Sequence, residues 1–331
     1  MQKRQFGRTG LEVSLLTFGC GAVGGLMTKG DPRDQERAVA RAVDLGVNHF
    51  DTAPLYGNGA SEENLGRILA SLKPNVIVST KVRIAPADRQ RIGAAIAASM
   101  EASLKRLRRD SVDLFQLHNP LALQVEGEKL TPEEVLGEVV PAFERLRSAG
   151  KTRFLGFTAI GDTPALQRLI DSRAFDGAQV PYNALNPSAG AALPQRYPAQ
   201  DYGRLLERAQ AAGVGTIGIR VLAGGALSGR EERHPLGMAI VEPIGSGSSY
   251  RADVERARRL EPLVREGHAG SLTELAMRFV IAHPGLSTTE IGLATIDQLE
   301  EAARAINKGP LSAQALARLG ELQATFAGEA R

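Results

Sequence analysis

The stretch Gly46-Val47-Asn48-His49-Phe50-Asp51-Thr52 joins the end of a helix to a strand. Before it, residues 33–45 carry apolar side chains at helical spacing, and Gly46 sits where a helix C-terminus favours a left-handed residue. After it, 47–52 reads as a strand with Asp51 near its C-terminal end. Gly150 and Gly213 punctuate the chain in the same way. Working outward, short apolar runs predict strands at 15–19, 47–52, 76–81, 112–118, 153–159, 178–183, 216–220 and 290–294. Helical patterns follow at 33–45, 61–72, 91–107, 132–149, 164–171, 202–212, 252–264 and 297–306, with an extra one at 271–282. Eight strand–helix units without a composition break predict a single (β/α)8 barrel over 1–331, in preference to a doubly wound sheet. Residues 4–13 read as a small hairpin ahead of it.

Composition narrows the function. The chain has 331 residues and a net charge of +3, too weak an excess to suggest a nucleic-acid partner. Its basic run Lys105-Arg106-Leu107-Arg108-Arg109 ends a helical pattern, where cations are favoured. One cysteine, Cys20, excludes an internal disulfide and a cysteine-based zinc site. Neither a secretory signal nor a bilayer-spanning run is legible, so a soluble cytoplasmic protein is expected. Tryptophan is absent, which takes the largest flat side chain out of any pocket.

Gly19-Cys20-Gly21-Ala22-Val23-Gly24 matches a dinucleotide fingerprint literally. That motif works by opening a helix at the glycines, whose N-terminus then faces the pyrophosphate. Here Gly25, Gly30 and Pro32 intervene before any helical pattern begins. The match is set aside.

Four polar residues fall at or just past three consecutive strand ends: Asp51, Tyr56, Lys81 and His118. In a barrel such ends converge on one pocket. A buried Lys81 needs a counter-charge, which Asp51 can supply. The ammonium is expected to lower the Tyr56 pKa, giving a phenol able to protonate a nascent alkoxide or to deprotonate an alcohol. His118 can donate a hydrogen bond to the carbonyl oxygen. With no nucleophile or metal-ligand set among these four, the reducing equivalent is expected from a bound cofactor.

The segments 46–57 and Ser61-Glu62-Glu63-Asn64-Leu65-Gly66 closely resemble the aldo-keto reductase family, as do Val78-Ser79-Thr80-Lys81 and Val112-Asp113-Leu114-Phe115-Gln116-Leu117-His118. Ser103-Leu104-Lys105-Arg106-Leu107, Gly150-Lys151-Thr152-Arg153-Phe154-Leu155-Gly156 and Gln179-Val180-Pro181-Tyr182-Asn183 extend the likeness over nearly the whole chain. The resemblance implies a barrel that binds extended NADPH or NADH, with NADP(H) favoured and NAD(H) a rival. It further implies hydride exchange with an aldehyde, ketone, alcohol or sugar lactol, with Tyr56 as acid and Asp51, Lys81 and His118 supporting.

The same resemblance carries cofactor contacts onto Cys20, Gly21 and Asp51. Gln179 falls at the nicotinamide carboxamide position, with Thr158-Ala159 in place of the family's Ser-Asn. Ile219 stands where an aromatic usually stacks, beside Arg220, which could instead reach a phosphate or stack itself. Leu222 and Gly224 lie in the pyrophosphate-wrapping loop. Gly292, Ala294, Gln298 and Glu301 fall in the adenosine-end segment, which lacks a lysine for a 2′-phosphate. Arg230 and Arg251 are the candidates to replace that charge. The other functional reading is a cofactor-binding regulatory barrel similar to potassium-channel β subunits, whose loop resembles 221–230; the retained His118 favours turnover.

Overall fold

The computed structural model describes residues 1–329, so the last two positions of the expected 1–331 domain lie outside it. An antiparallel hairpin of β1 (Lys3–Gln5) and β2 (Glu12–Ser14) precedes the barrel. The barrel strands are β3 (Leu16–Gly19), β4 (His49–Asp51), β5 (Ile77–Val82), β6 (Val112–Leu117), β7 (Thr152–Thr158), β8 (Gly177–Pro181), β9 (Gly215–Ile219) and β10 (Thr288–Gly292). All neighbours pair in parallel, and β10 closes onto β3. The architecture is the (β/α)8 barrel that the strand–helix alternation predicts.

The hairpin plugs the N-terminal end. Phe6, 2% exposed, packs with Val13, Leu114 and Ile217. It fits because β8 and β9 both begin with glycine: a Cβ at Gly215 would lie 2.6 Å from the Phe6 ring. Outside the barrel, helices Ala60–Leu72 and Ile92–Leu107 touch through Gly66, where a Cβ would fall 2.5 Å from the Arg106 carbonyl oxygen.

Three departures from the periodicity have local causes. The 132–149 pattern opens on a Thr131–Glu134 capping box, widens into a π-turn over Val135–Val139, and continues as Val140–Ser148. Pro141 has no N–H to donate, so the ladder must adjust at that point. The 252–264 pattern splits into Tyr250–Arg258 and Glu261–Arg265, with Pro262 in the first turn of the second piece. A further helix, Ala313–Ala324, is capped by Ser312, whose Oγ accepts from the Ala315 N–H at 3.2 Å. No helix among the described residues is long and apolar enough to cross a membrane.

Gly66→Ala forces a methyl into the Arg106 backbone, so it should destabilise the fold by about 1–3 kcal/mol. Urea unfolding measures this, and a change within error would show that the two helices can move apart freely.

Candidate active site

Each element contributes one piece of the site floor. Asp51 ends β4, Lys81 lies on β5, and His118 follows β6 directly. Tyr56 is presented by a turn in which its N–H donates to the Ala53 carbonyl and its own carbonyl accepts from Ser61 N–H. That turn is braced from below. The buried Ser61 hydroxyl bonds Thr52 Oγ1 at 2.7 Å and donates to the Cys20 carbonyl at 2.9 Å. Buried Glu62 accepts from Thr80 Oγ1 and from Arg106 Nε at 2.6 Å. The Ser61-Glu62 segment therefore fixes the tyrosine's turn and does not face the cavity itself.

Lys81 and Asp51 are both fully buried. The Lys81 ammonium has three donors and three acceptors: Asp51 Oδ2, the Thr52 carbonyl at 3.0 Å and Tyr56 Oη at 3.3 Å. Asp51 Oδ1 accepts from Ser79 Oγ at 2.6 Å and Gln116 Nε2 at 2.9 Å. Burial pushes the Asp51 carboxyl up, but the ammonium charge and the bonds from Lys81 and Ser79 hold it below the usual carboxylate range. Burial works against the Lys81 charge, yet Asp51 and Tyr56 outweigh it and the lysine stays charged.

The expected lowering of the Tyr56 pKa is overturned. Lys81 does pull it down, but burial is the larger effect and pushes the phenol up to about 12. Burial, then the Lys81 charge, pushes His118 down to about 3. The imidazole is therefore neutral at neutral pH; its ring lies edge-on to Tyr56 with centroids 5.9 Å apart, and Nδ1 is buried without a partner.

Tyr56 and His118 open onto a cavity of about 990 Å³, within the size range of cofactor sites. Gly21, Thr158, Gln179, Ile219, Arg220 and Leu222 line it. So do Gly224, Arg230, Gly292, Ala294, Gln298 and Glu301. Asp51 and Lys81 lie behind the wall, at 0% exposure. Cys20 is also buried off the wall and uses its backbone, donating N–H to the Asp51 carbonyl. Arg251 is exposed, turned to Glu255 at 3.2 Å, and is not on the wall. The glycines 224 and 225 both have positive φ, 70° and 114°, and bend the loop around the cavity.

The sequence profile of the Aldo/keto reductase family matches residues 15–324. The chain belongs to the aldo/keto reductase family. It is 27% identical to the L-galactose dehydrogenase of Arabidopsis thaliana over 315 residues, covering 93% of this chain and 89% of that protein. It is also 27% identical to the L-glyceraldehyde 3-phosphate reductase of Escherichia coli K12, covering 97% and 92%. A putative voltage-gated potassium channel subunit β of Schizosaccharomyces pombe is 28% identical, covering 92% and 87%. Among solved structures, the aldo-keto reductase AKR11C1 from Bacillus halodurans, in its holo form, superposes with a TM-score of 0.72. The identity is 26%, with 97% of this chain and 96% of that one covered.

Four charged wall residues of this family member, Arg83, Glu232, Arg233 and Glu290, escaped the reading of the sequence. Arg83, two residues past Lys81, pairs with Glu128. Arg233 donates from Nε to the Met238 carbonyl at 2.6 Å and stacks over Tyr250 at 5.2 Å. Glu290 interrupts β10 and accepts from Gln179 Nε2 at 2.8 Å. A charge inside an otherwise uncharged barrel strand was the available signal for Glu290.

His49 and His118 each make the fold less stable in acid. His49 is pushed down to about 4 by burial, and His118 to about 3. Both bind a proton more readily unfolded, near the ordinary value of about 6.5, so the unfolded chain holds more protons between pH 6.5 and 4. Stability should fall on acidification through that window, by up to about 1.4 kcal/mol per pH unit for each histidine. Urea unfolding from pH 7.5 to 4.5 measures it, and His118→Asn should make stability fall less on acidification than in the wild type.

Proposed function

We propose that the protein is a nicotinamide-dependent oxidoreductase that interconverts an aldehyde or ketone with the corresponding alcohol, a sugar lactol included. The observation that carries this reading is the Lys81 ammonium joining Asp51 to Tyr56 Oη beneath the cavity, with His118 beside the phenol. The wall fits an extended dinucleotide on this chain's own features: a cavity of sufficient volume, a Thr158–Gln179 pair at one end and a glycine-bent loop along it. Thr158 and Gln179 would hold the carboxamide, Ile219 the ring face, Leu222–Gly225 the pyrophosphate, and Gln298 and Glu301 the adenosine. When bound, the cofactor supplies or takes up the hydride.

The side chains handle the proton. Neutral His118 donates a hydrogen bond to the substrate oxygen and holds it near Tyr56. Tyr56 gives its Oη proton to that oxygen as alkoxide character develops, and takes one back in the oxidative direction. Lys81 stabilises the tyrosinate, and Asp51 keeps Lys81 charged in a buried site. The Arg83–Glu128 pair supplies donors and acceptors at the wall, which supports a small polyhydroxylated substrate. Relatives named for L-galactose and L-glyceraldehyde 3-phosphate agree with that class.

Tyr56→Phe removes the mobile proton and, with it, one acceptor of the Lys81 ammonium. Turnover of a small aldehyde should fall by roughly 10²–10⁴, while the affinity for reduced cofactor stays within about twofold. A variant turning over near the wild-type rate would refute the role of Tyr56. For the adenosine end, NADP(H) is the proposed preference, with Arg230 facing the 2′-phosphate. In a thermal-shift titration NADPH should then raise the midpoint more than NADH at equal concentration, and Arg230→Ala should narrow the gap. A larger shift with NADH would reverse the assignment.

A further inference from the structure

Glu290 is a charged residue of this wall that the proton chemistry above leaves unused. Its oxygen Oε2 accepts from Gln179 Nε2 at 2.8 Å, while Gln179 Oε1 accepts from Thr158 Oγ1 at 2.9 Å. The glutamate thus adjoins the two side chains assigned to the carboxamide. Its carboxyl lines the cavity and also lies within hydrogen-bonding reach of Asp51. Across β3 the approach is close: a Cβ on Gly19 would sit 3.1 Å from Glu290 Cγ, so a larger residue there would crowd the glutamate stem.

The titratable groups facing Glu290 come from its neighbours and not from β10 itself. They are Asp51 on β4, Lys81 on β5, Tyr56 in the turn after β4, and the buried thiol of Cys20 after β3. Asp51 already pairs with Lys81, so the cluster without Glu290 is neutral. A second carboxylate beside Asp51 is disfavoured by burial and by the like charge. Two carboxyl groups in hydrogen-bonding reach need a proton between them, and Glu290 is the one without a cation of its own. It therefore carries that proton towards Asp51 while accepting from Gln179.

We propose that Glu290 is a switchable counter-charge for the cofactor: it stays protonated beside the neutral reduced nicotinamide and releases its proton to solvent, through the cavity, beside the cationic oxidised ring. The proposal rests on the nicotinamide reading of the wall. No bond other than that O–H changes. Oxidised cofactor binds with release of one proton and reduced cofactor with none, so the balance between them is set by pH and tilts towards alcohol oxidation as pH rises.

The test is a set of dissociation constants for NADP⁺, NADPH, NAD⁺ and NADH, measured by calorimetry from pH 5.5 to 9. The proteins are the wild type, Glu290→Gln and Glu290→Leu. In the wild type the affinity for the oxidised form, relative to the reduced form, should rise with pH by up to about tenfold per unit within the titration window of Glu290. Glu290→Gln keeps the contact with Gln179 but cannot ionise; it should weaken the oxidised form by about tenfold at high pH, change the reduced form less than about twofold, and abolish the pH dependence of the ratio. Glu290→Leu should flatten the ratio in the same way. Equal weakening of both forms by Glu290→Gln, or an unchanged ratio at every pH, overturns the counter-charge and leaves the nicotinamide reading standing. Failure of all four cofactors to bind the folded wild type overturns that reading, and the proposal with it.

Discussion

The buried pair of Asp51 and Lys81 is the interaction on which the rest of the site depends. Two charges removed from water are tolerated only where every remaining lone pair and proton finds a partner. The barrel meets that demand from three neighbouring strands, β4, β5 and β6, and from the turn after β4. Ser79 and Gln116 saturate one Asp51 oxygen, and Thr52 and Tyr56 take the two ammonium protons that Asp51 does not. The order extends down the barrel axis. Ser79 donates to Asp51 and also bonds His49 Nε2 at 2.9 Å, and His49 Nδ1 bonds Thr17 Oγ1 at 2.9 Å. One carboxylate charge is thereby tied to a histidine that touches neither the cavity nor the carboxylate. Removing either member of the ion pair would leave a lone buried charge, at a cost of about 3–5 kcal/mol, with this chain disordered as well.

The fold and the floor of the candidate site were legible because both are written at strand ends. All eight expected barrel strands are present, with ends moved by one or two residues at most positions. Asp51, Lys81 and His118 are adjacent because parallel strands β4, β5 and β6 are adjacent, which their order in the chain already requires. Less of the cavity wall could be read. Side chains such as Arg251 and Cys20 sit in the right segment, yet one turns to Glu255 and the other is buried behind the wall. Segment position follows from strand order; the direction of a loop side chain is settled by contacts from elsewhere in the chain. Glu128, which turns Arg83, comes from a different loop altogether. The helix Ala313–Ala324 was a different kind of omission, since Ser312 and the apolar positions Leu316, Leu319 and Leu322 carried its signature.

Absence of tryptophan has a structural counterpart in this wall. Arg83 and Arg220 line the cavity with Ile219 and Tyr56, and the first two bring charge where a flat apolar ring would bring none. A guanidinium offers a planar face and directional donors together, so it can cover a ring and still engage a hydroxyl or phosphate. Such a wall fits the polar substrate class proposed above, because an apolar one would bury those donors without partners. Arg83 states the condition most sharply: its Nε is buried with no hydrogen-bond partner, while the far end of the same guanidinium is held by Glu128.

The sign of the Tyr56 shift changes how the proposed acid would work but leaves its proposed task intact. A phenol lowered towards neutrality would be partly ionised and unable to protonate anything in that fraction of molecules. Burial that pushes it up to about 12 keeps the proton in place across the physiological range. The transfer remains downhill, because an aliphatic alkoxide is a far stronger base than a phenolate. In the proposed reaction Lys81 would act at the moment of transfer: the tyrosinate would form 3.3 Å from an ammonium that is already in position and needs no reorganisation. The lysine therefore serves as a fixed electrostatic partner for the ionised state and not as the means of producing that state in the resting protein. The same geometry makes oxidation the more demanding direction, since a buried phenol must there lose its proton before it can accept one from an alcohol. Positive charge in the cavity favours that loss, and burial opposes it.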